Sequence, residues 1–406
     1  MKEYYRTKAV INLDAICENI RNTRKLMSAD TKLMAVIKTD GYGHGAIPIA
    51  MALDALVVDN KDAVNAYAVA TVAEGIELRR AGVKKPILTL GVTPLAHYDK
   101  LLDWNITPTV FAWEMAKELS DRAVNKGVKA PVHIKLDTGM SRIGFAVNEQ
   151  SADEIKKISE LPGIVIEGCF THFAKADESN LDFTKLQFEK YMQMINWLME
   201  RGITIPVKHV CNSAGIMEFP EGHLDMVRSG ISTYGMYPSE EVHKEKLLLK
   251  PALSLKAYVT YVKDVEEGTG ISYGGTYVAK KKIRVATIPI GYGDGYKRAL
   301  SNKGRVLIHG MSAPILGRVC MDQFMVDVSH IPNVKENDEV TLIGRDGEEE
   351  ITMEELGELS ESFNYEIACS LGKRIPREYI YQGRKIGTWD SFDSAESSFS
   401  FNFPKK

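Results

Sequence analysis

Residues able to do chemistry gather where apolar runs end. Lys38 closes the run Met34–Lys38 and is followed by Thr39-Asp-Gly-Tyr42-Gly-His-Gly45. An amine at such a position is partly desolvated, and nearby cations add to the effect; both favour the neutral, nucleophilic form. A lysine that merely reaches solvent from a strand end is spelled the same way. Val132–Asp137 carries Lys135 and leads into Thr138-Gly-Met-Ser-Arg142, while Ile164–Phe173 carries His172. Lys208–Ser213 ends in Cys-Asn-Ser213, and Leu224–Ile231 contains Arg228, Gly230 and Ile231. If these ends are neighbours, they form a cationic floor. Ser213, Gly230 and Ile231 offer a hydroxyl and backbone N–H groups to an anion such as phosphate, or else ordinary turn chemistry. His172 reads equally as a core histidine. A buried Arg228 needs an acceptor, with Asp225 or Glu218 as the default salt-bridge partner.

The later part of the chain adds Gly270-Ile-Ser-Tyr273-Gly-Gly-Thr-Tyr277, Ile288–Gly295 and Gly317-Arg318-Val-Cys-Met321-Asp322. Their tyrosines, flanked by glycine, also suit plain turns. Gly41–Ala46 spells G-x-G-x-x-A after a strand, but no acidic residue closes a second strand at the distance a dinucleotide site needs. There is no H-E-x-x-H, no Walker A sequence and no C-x-x-C. Ser213 lies in Asn-Ser-Ala-Gly, which is not a nucleophile elbow.

Stepping outward to the elements, eight apolar, β-branched runs alternate with helical patterns: Met34–Lys38, Ala66–Thr71, Pro86–Gly91, Thr107–Phe111, Val132–Asp137, Ile164–Phe173, Lys208–Ser213 and Leu224–Ile231. Eight βα units in a row predict an α/β fold, an N-terminal (β/α)₈ TIM-type barrel, over an open doubly wound sheet. Helices are expected over Asp14–Met27, from a capping box at Ser151–Glu154, from Ser179–Asp182 and from Thr352. Period-2 alternation takes over at Leu253, Leu255, Ala257, Val259 and Tyr261, so a mostly-β domain follows. The expected organisation is a barrel over 1–240, a β domain over 241–390 and a loose tail over 391–406. Ala9–Leu13 could pair in either domain.

The 406 residues carry 51 Lys and Arg against 54 Asp and Glu, a net charge of −3 that argues against a general nucleic-acid binder. No apolar run is long enough to span a membrane, and the charged N-terminus lacks the core of a signal peptide. Five scattered cysteines (Cys17, Cys169, Cys211, Cys320, Cys369) fit reduced thiols in a cytoplasmic protein.

Taken together, the chain resembles alanine racemase, a fold-type III pyridoxal-phosphate family, from about residue 5 to 385. The carriers are Ala35–Gly45, Asp137–Gly144, Thr171-His-Phe-Ala174, Arg228-x-Gly-Ile231, Ile271-Ser-Tyr-Gly274, Ile290–Gly295 and Cys320-Met-Asp322. The resemblance implies racemisation of L- and D-alanine, a homodimer with shared active sites, and D-alanine for peptidoglycan. Lys38 matches the lysine that carries pyridoxal 5'-phosphate and serves one face of Cα; Tyr273, from the partner subunit, would be the base on the other face. Tyr42, Ser213, Gly230, Ile231 and Tyr365 match phosphate contacts. Arg142 would hold the phenolic oxygen and help with the substrate carboxylate, and Met321 would offer that carboxylate a backbone N–H. Arg228 would face the pyridine nitrogen with His172 beside it. Lys135 matches a lysine often carbamylated in the family, and Asp177, Arg298 and Arg318 match residues of the access channel. The chain departs from many relatives at Thr39-Asp40 and at Phe363. Serine or broad-specificity racemisation, a non-catalytic pyridoxal-phosphate protein, a fold-type III decarboxylase and a dinucleotide oxidoreductase are the competing readings.

Overall fold

In a computed structural model of the chain, the described residues run from Arg6 to Phe392. They form two compact units. One comprises Ile16–Gly41 and Ile49–Lys250; the other comprises, of the described residues, those up to Ala15, Tyr42–Pro48 and those from Pro251 on. The division lies at Lys250–Pro251, beyond the 240 expected, because Asn19 in the first helix holds Lys250 in the first unit: its amide donates to the Lys250 carbonyl (2.9 Å) and its oxygen accepts the Lys250 N–H (2.8 Å). Nearly all of the tail expected from 391 lies outside the described residues.

The first unit is a parallel (β/α)₈ barrel. Its strands are, in chain order, Lys32–Val36, Ala66–Val69, Ile87–Thr89, Thr109–Val110, Ala130–Asp137, Ile164–Phe170, Val207–His209 and Met226–Ser229. Neighbours pair in parallel, and the eighth strand closes on the first with Met226 opposite Lys32 and Ser229 opposite Ala35. The two joints with little ladder are spanned by isolated bonds: the Thr89 N–H to the Thr107 carbonyl (2.9 Å) and the Thr107 N–H to the Ile87 carbonyl (2.8 Å) at one, and the Asp225 N–H to the Lys208 carbonyl and the Arg228 N–H to the Cys211 carbonyl (both 3.1 Å) at the other. Parallel strands covered on both faces need unbroken apolar runs. Accordingly Leu33–Val36 and Ala66–Val69 are buried throughout.

The helices follow the amphipathic pattern. In Trp113–Asn125 the buried positions are Ala116, Leu119, Ser120 and Ala123, one stripe at helical spacing. Two predicted starts differ. Helix Glu149–Ser159 is capped by Asn148, whose side chain accepts the Ser151 N–H, and Ser151 is buried in the first turn. Glu154 faces away from a capping box and accepts the Trp113 N–H (3.0 Å). Helix Asp182–Glu200 begins without a side-chain cap at Leu181. Leu13–Lys25 matches the first predicted helix, and Thr352 does cap Met353–Leu359.

The second unit holds an 11-stranded sheet. The first strand of the chain, Thr7–Asn12, lies inside it, antiparallel to Leu253–Tyr258 and parallel to Arg377–Tyr381. Asp294 is wholly buried between Arg6 (2.7 Å) and Arg374 (3.1 Å) and accepts the Gly291 N–H (3.0 Å), which fixes the Gly291–Gly295 turn. Among the described residues no helix is long and apolar enough to cross a membrane.

Candidate active site

Lys38 is half-buried at the C-terminal end of the first barrel strand. The chain after it turns in the left-handed sense: φ is 55° at Thr39, 49° at Asp40 and 60° at Gly41. A left-handed residue other than glycine costs about 1–2 kcal/mol, and a β-branched one is a genuine outlier. Two bonds hold the turn: the Gly41 N–H donates to the Ile37 carbonyl (2.9 Å), and the Thr39 N–H donates to Glu74 Oε1 (2.6 Å). The other Glu74 oxygen accepts the Ala70 and Thr71 N–H groups, so one carboxylate ties the lysine turn to the next helix start.

Strands five, seven and eight carry the cationic floor: His133 and Lys135, His209, and Arg228. Arg228 is buried, and burial lowers its pKa to about 10. The expected salt bridge does not form: Asp225 pairs with Lys208 (2.8 Å), Glu218 with Lys246 (2.7 Å), and no carboxylate pairs with Arg228 among the described residues. Its terminal N–H groups donate to neutral acceptors, namely the carbonyls of Thr171 (2.8 Å), His209 (3.1 Å) and Val210 (3.0 Å) and the Nδ1 of His209 (2.9 Å). The half-buried His172 stands 3.4 Å away through Nδ1. The Arg228 Nε–H makes no hydrogen bond among the described residues.

A guanidinium only donates, so His209 Nδ1 carries the lone pair and its Nε2–H is turned to His133 Nδ1, 2.8 Å away. Both imidazoles are kept neutral. Burial and then Arg228 push His133 down to about 4 and His209 well below its ordinary value. His172 is depressed by burial and by Arg228, Arg142, Lys135 and Lys38. Lys135, buried over the Phe170 ring, is pushed down to about 8 by burial and next by Arg228.

Ser213, Gly230 and Ile231 come together as expected. The Ser213 hydroxyl oxygen accepts the N–H groups of Gly230 (2.9 Å) and Ser232 (3.3 Å) and the Ser232 hydroxyl (3.0 Å). Donors outnumber acceptors at this point, as an oxyanion site requires. Arg142 is exposed on a loop fixed by the Asp137 carboxylate, which accepts the Gly139 and Ser141 N–H groups (both 3.0 Å). Asp177 is half-buried in the same unit.

In the second unit the Tyr42 and Tyr365 rings lie 6.2 Å apart, and burial raises the Tyr42 pKa well above its ordinary value. Tyr273 is 70% exposed and Met321 52% exposed. Arg298 and Arg318 are exposed as well.

Sequence reasoning passed over His133, His209 and Glu74. A signal for the first existed: His133 and Lys135 are two apart in one strand and share a face. His209 closes strand seven with no such companion, and Glu74 acts on residues far from it in the chain.

The chain matches the family model "Alanine racemase, N-terminal domain" over residues 11–238 and "Alanine racemase, C-terminal domain" over 252–379. It is 48% identical to the alanine racemase of Desulforamulus reducens, over 92% of this chain and 98% of that protein. The solved alanine racemase of Clostridium difficile 630 superposes with a TM-score of 0.90 at 42% identity, covering 96% of this chain and 99% of that one. A histidine racemase from Leuconostoc mesenteroides superposes with a TM-score of 0.84 at 28% identity, covering 94% and 99% of the two chains.

Proposed function

The chain belongs to the alanine racemase family and is an isomerase that interconverts L- and D-alanine; from that premise we propose the cofactor, the residue roles and the assembly through which it works. The cofactor is pyridoxal 5'-phosphate. The observation that carries this reading is Arg228: a buried guanidinium with no acid beside it and a free Nε–H, at a site with a donor-rich anion cradle. An aromatic nitrogen acceptor joined to a phosphate meets both demands.

In this reading Lys38 holds the cofactor, and Ser213, Gly230, Ile231, Tyr42 and Tyr365 hold its phosphate. When bound, the group supplies an electron sink for the charge left at Cα. Arg228 donates Nε–H toward the ring nitrogen. Because guanidinium hardly gives up its proton, Arg228 would leave that nitrogen unprotonated, which would restrain the sink and suppress side reactions. Arg142 and the Met321 N–H orient the substrate carboxylate. Lys38 moves the proton on the D face of Cα and Tyr273 of the partner subunit on the L face. A tyrosine ordinarily titrates near ~10, so it needs a cation nearby; in the His172–Arg228 pair Arg228 would bring the charge and neutral His172 would stand beside it. Carbamylated Lys135 would offset the charge of Arg142, and Asp177, Arg298 and Arg318 would line the access channel. The assembly is a homodimer in the cytoplasm, and the D-alanine goes to peptidoglycan.

The test is proton–deuterium exchange at Cα of L-alanine in D₂O with added pyridoxal 5'-phosphate, read beside D-alanine formation. Exchange with inversion is the expected result. Binding without exchange would leave a pyridoxal-phosphate protein of another kind. The fold-level likeness to a histidine racemase favours a second reading, broader substrate scope, which L-serine, L-lysine and L-histidine run in parallel would reveal.

A further inference from the structure

Two polar side chains with no part in the chemistry above tie the Tyr273 loop to the segment that carries Met321. Ser272 has φ 64° and ψ −176°, a conformation populated almost only by glycine. Its hydroxyl donates to the Arg318 carbonyl (2.6 Å) and lies 3.4 Å from the Cys320 sulfur. The Cys320 thiol reaches the same Arg318 carbonyl (3.6 Å), so both side chains converge on it. Asn302 makes the parallel link. Its oxygen accepts the Gly317 N–H (2.6 Å), and its amide donates to the Thr276 hydroxyl (3.2 Å).

The two segments touch backbone to backbone. A Cβ on Gly317, at φ 75°, would lie 2.5 Å from the Ile271 carbonyl oxygen and 2.8 Å from Ser272 Cβ. On its other side the Met321 segment is held by the Gly291–Gly295 turn. The Tyr292 N–H donates to the Cys320 carbonyl (3.1 Å) and the Gly293 N–H to the Met321 carbonyl (2.8 Å). A Cβ on Gly291 would lie 2.5 Å from the Met321 carbonyl oxygen.

A serine in a glycine conformation persists only where its surroundings over-determine it. Here the hydroxyl bond to Arg318 fixes the backbone just before Tyr273 and so aims that side chain. We propose that Ser272 and Asn302 are positioning residues for racemisation: they lock the Tyr273 loop to the Arg318–Met321 segment, so that the phenol and the carboxylate contact keep one spacing. The proposal rests on the reading of Tyr273 as second base and Met321 as carboxylate contact.

The experiment starts from D-alanine in D₂O with the holoenzyme. Lys38 alone can exchange the Cα proton with retention, whereas inversion needs Tyr273. Ser272→Ala loses the hydroxyl, and Ser272→Gly loses it while fitting the backbone without strain. Asn302→Asp keeps the Gly317 bond, leaves Thr276 only a bond its own hydroxyl must donate and loses the contact to the Thr276 carbonyl (3.5 Å). The ratio of exchange to inversion should rise about tenfold or more in both Ser272 variants and less in Asn302→Asp. Backbone amide exchange in 270–277 and 317–321 should also quicken in these variants without cofactor. A parallel fall of exchange and inversion, or unchanged amide protection, overturns the proposal. Tyr273→Phe separates the two readings. If it raises the ratio and the Ser272 variants do not, the positioning role alone fails. If it leaves the ratio unchanged, the role of Tyr273 fails and takes the positioning role with it.

Discussion

The floor of the barrel and the Tyr273 loop are opposites in construction. On the floor, Arg228, Lys135, His133 and His209 are buried, each side chain is hydrogen-bonded, and the pKa values are far from ordinary. Tyr273 stands exposed, with only the backbone beneath it fixed. The contrast separates two kinds of construction: a buried network whose members shift one another's pKa values, with Lys38 among the charges that depress His172, and an exposed side chain aimed through the backbone beneath it.

Substitutions at the two ends should therefore fail differently. With Lys38 as proposed anchor and base, Lys38→Ala should lower racemisation by about 10⁴-fold or more and the cofactor should be lost on gel filtration. Tyr273→Ala should lower turnover by about 10²–10⁴-fold while a spectral titration shows unchanged cofactor affinity, because little of the free chain packs against that ring. Equal loss of both would erase the contrast. Arg228→Glu should slow D-alanine formation by about 10²-fold, as expected for the loss of one fixed electrostatic contact; an unchanged rate would make Arg228 purely structural.

The floor should also carry a pH signature. Lys135 is held at about 8 when folded against 10.5 ordinarily. Between those values the unfolded chain binds more protons, so stability rises with pH across that window and is lowest below about 8, where the folded form must bury the charge. In carbon-dioxide-free buffer, denaturant midpoints of the wild type should climb through this window relative to those of Lys135→Met. Coinciding curves would show that the lysine is not buried as a free amine. The smallest effect concerns the lysine turn: Thr39→Gly should relieve left-handed strain and raise stability by about 1 kcal/mol, read from the urea midpoint. A loss of stability would mean that the Thr39 side chain contributes more than its backbone costs.

The eight barrel strands were legible because each must be apolar on both faces, and such runs have few other uses in a chain of this composition. Local bonds were legible less often. Asn148 outcompetes Ser151 as a cap because Asn148 is extended, at φ −154°. The partner of Arg228 was misjudged because acids near it in sequence have their own lysines, while the acceptors that serve it are carbonyls and imidazoles of other strands. The left-handed turn had glycines to announce it, yet its hand at Thr39 depends on Glu74, 35 residues away.

The placement of Thr7–Asn12 bears on how the protein is made. This strand carries the buried Ala9 and Ile11, and its neighbours in the sheet are Leu253–Tyr258 and Arg377–Tyr381. At roughly 5–20 residues per second, a ribosome needs on the order of ten to fifty seconds to reach the first of these. During that interval the earliest strand waits with both edges unpaired, the form most prone to pairing with another chain. Thr7–Asn12 is thus a natural point for chaperone guarding, and crowded overexpression should aggregate through it before the barrel itself fails.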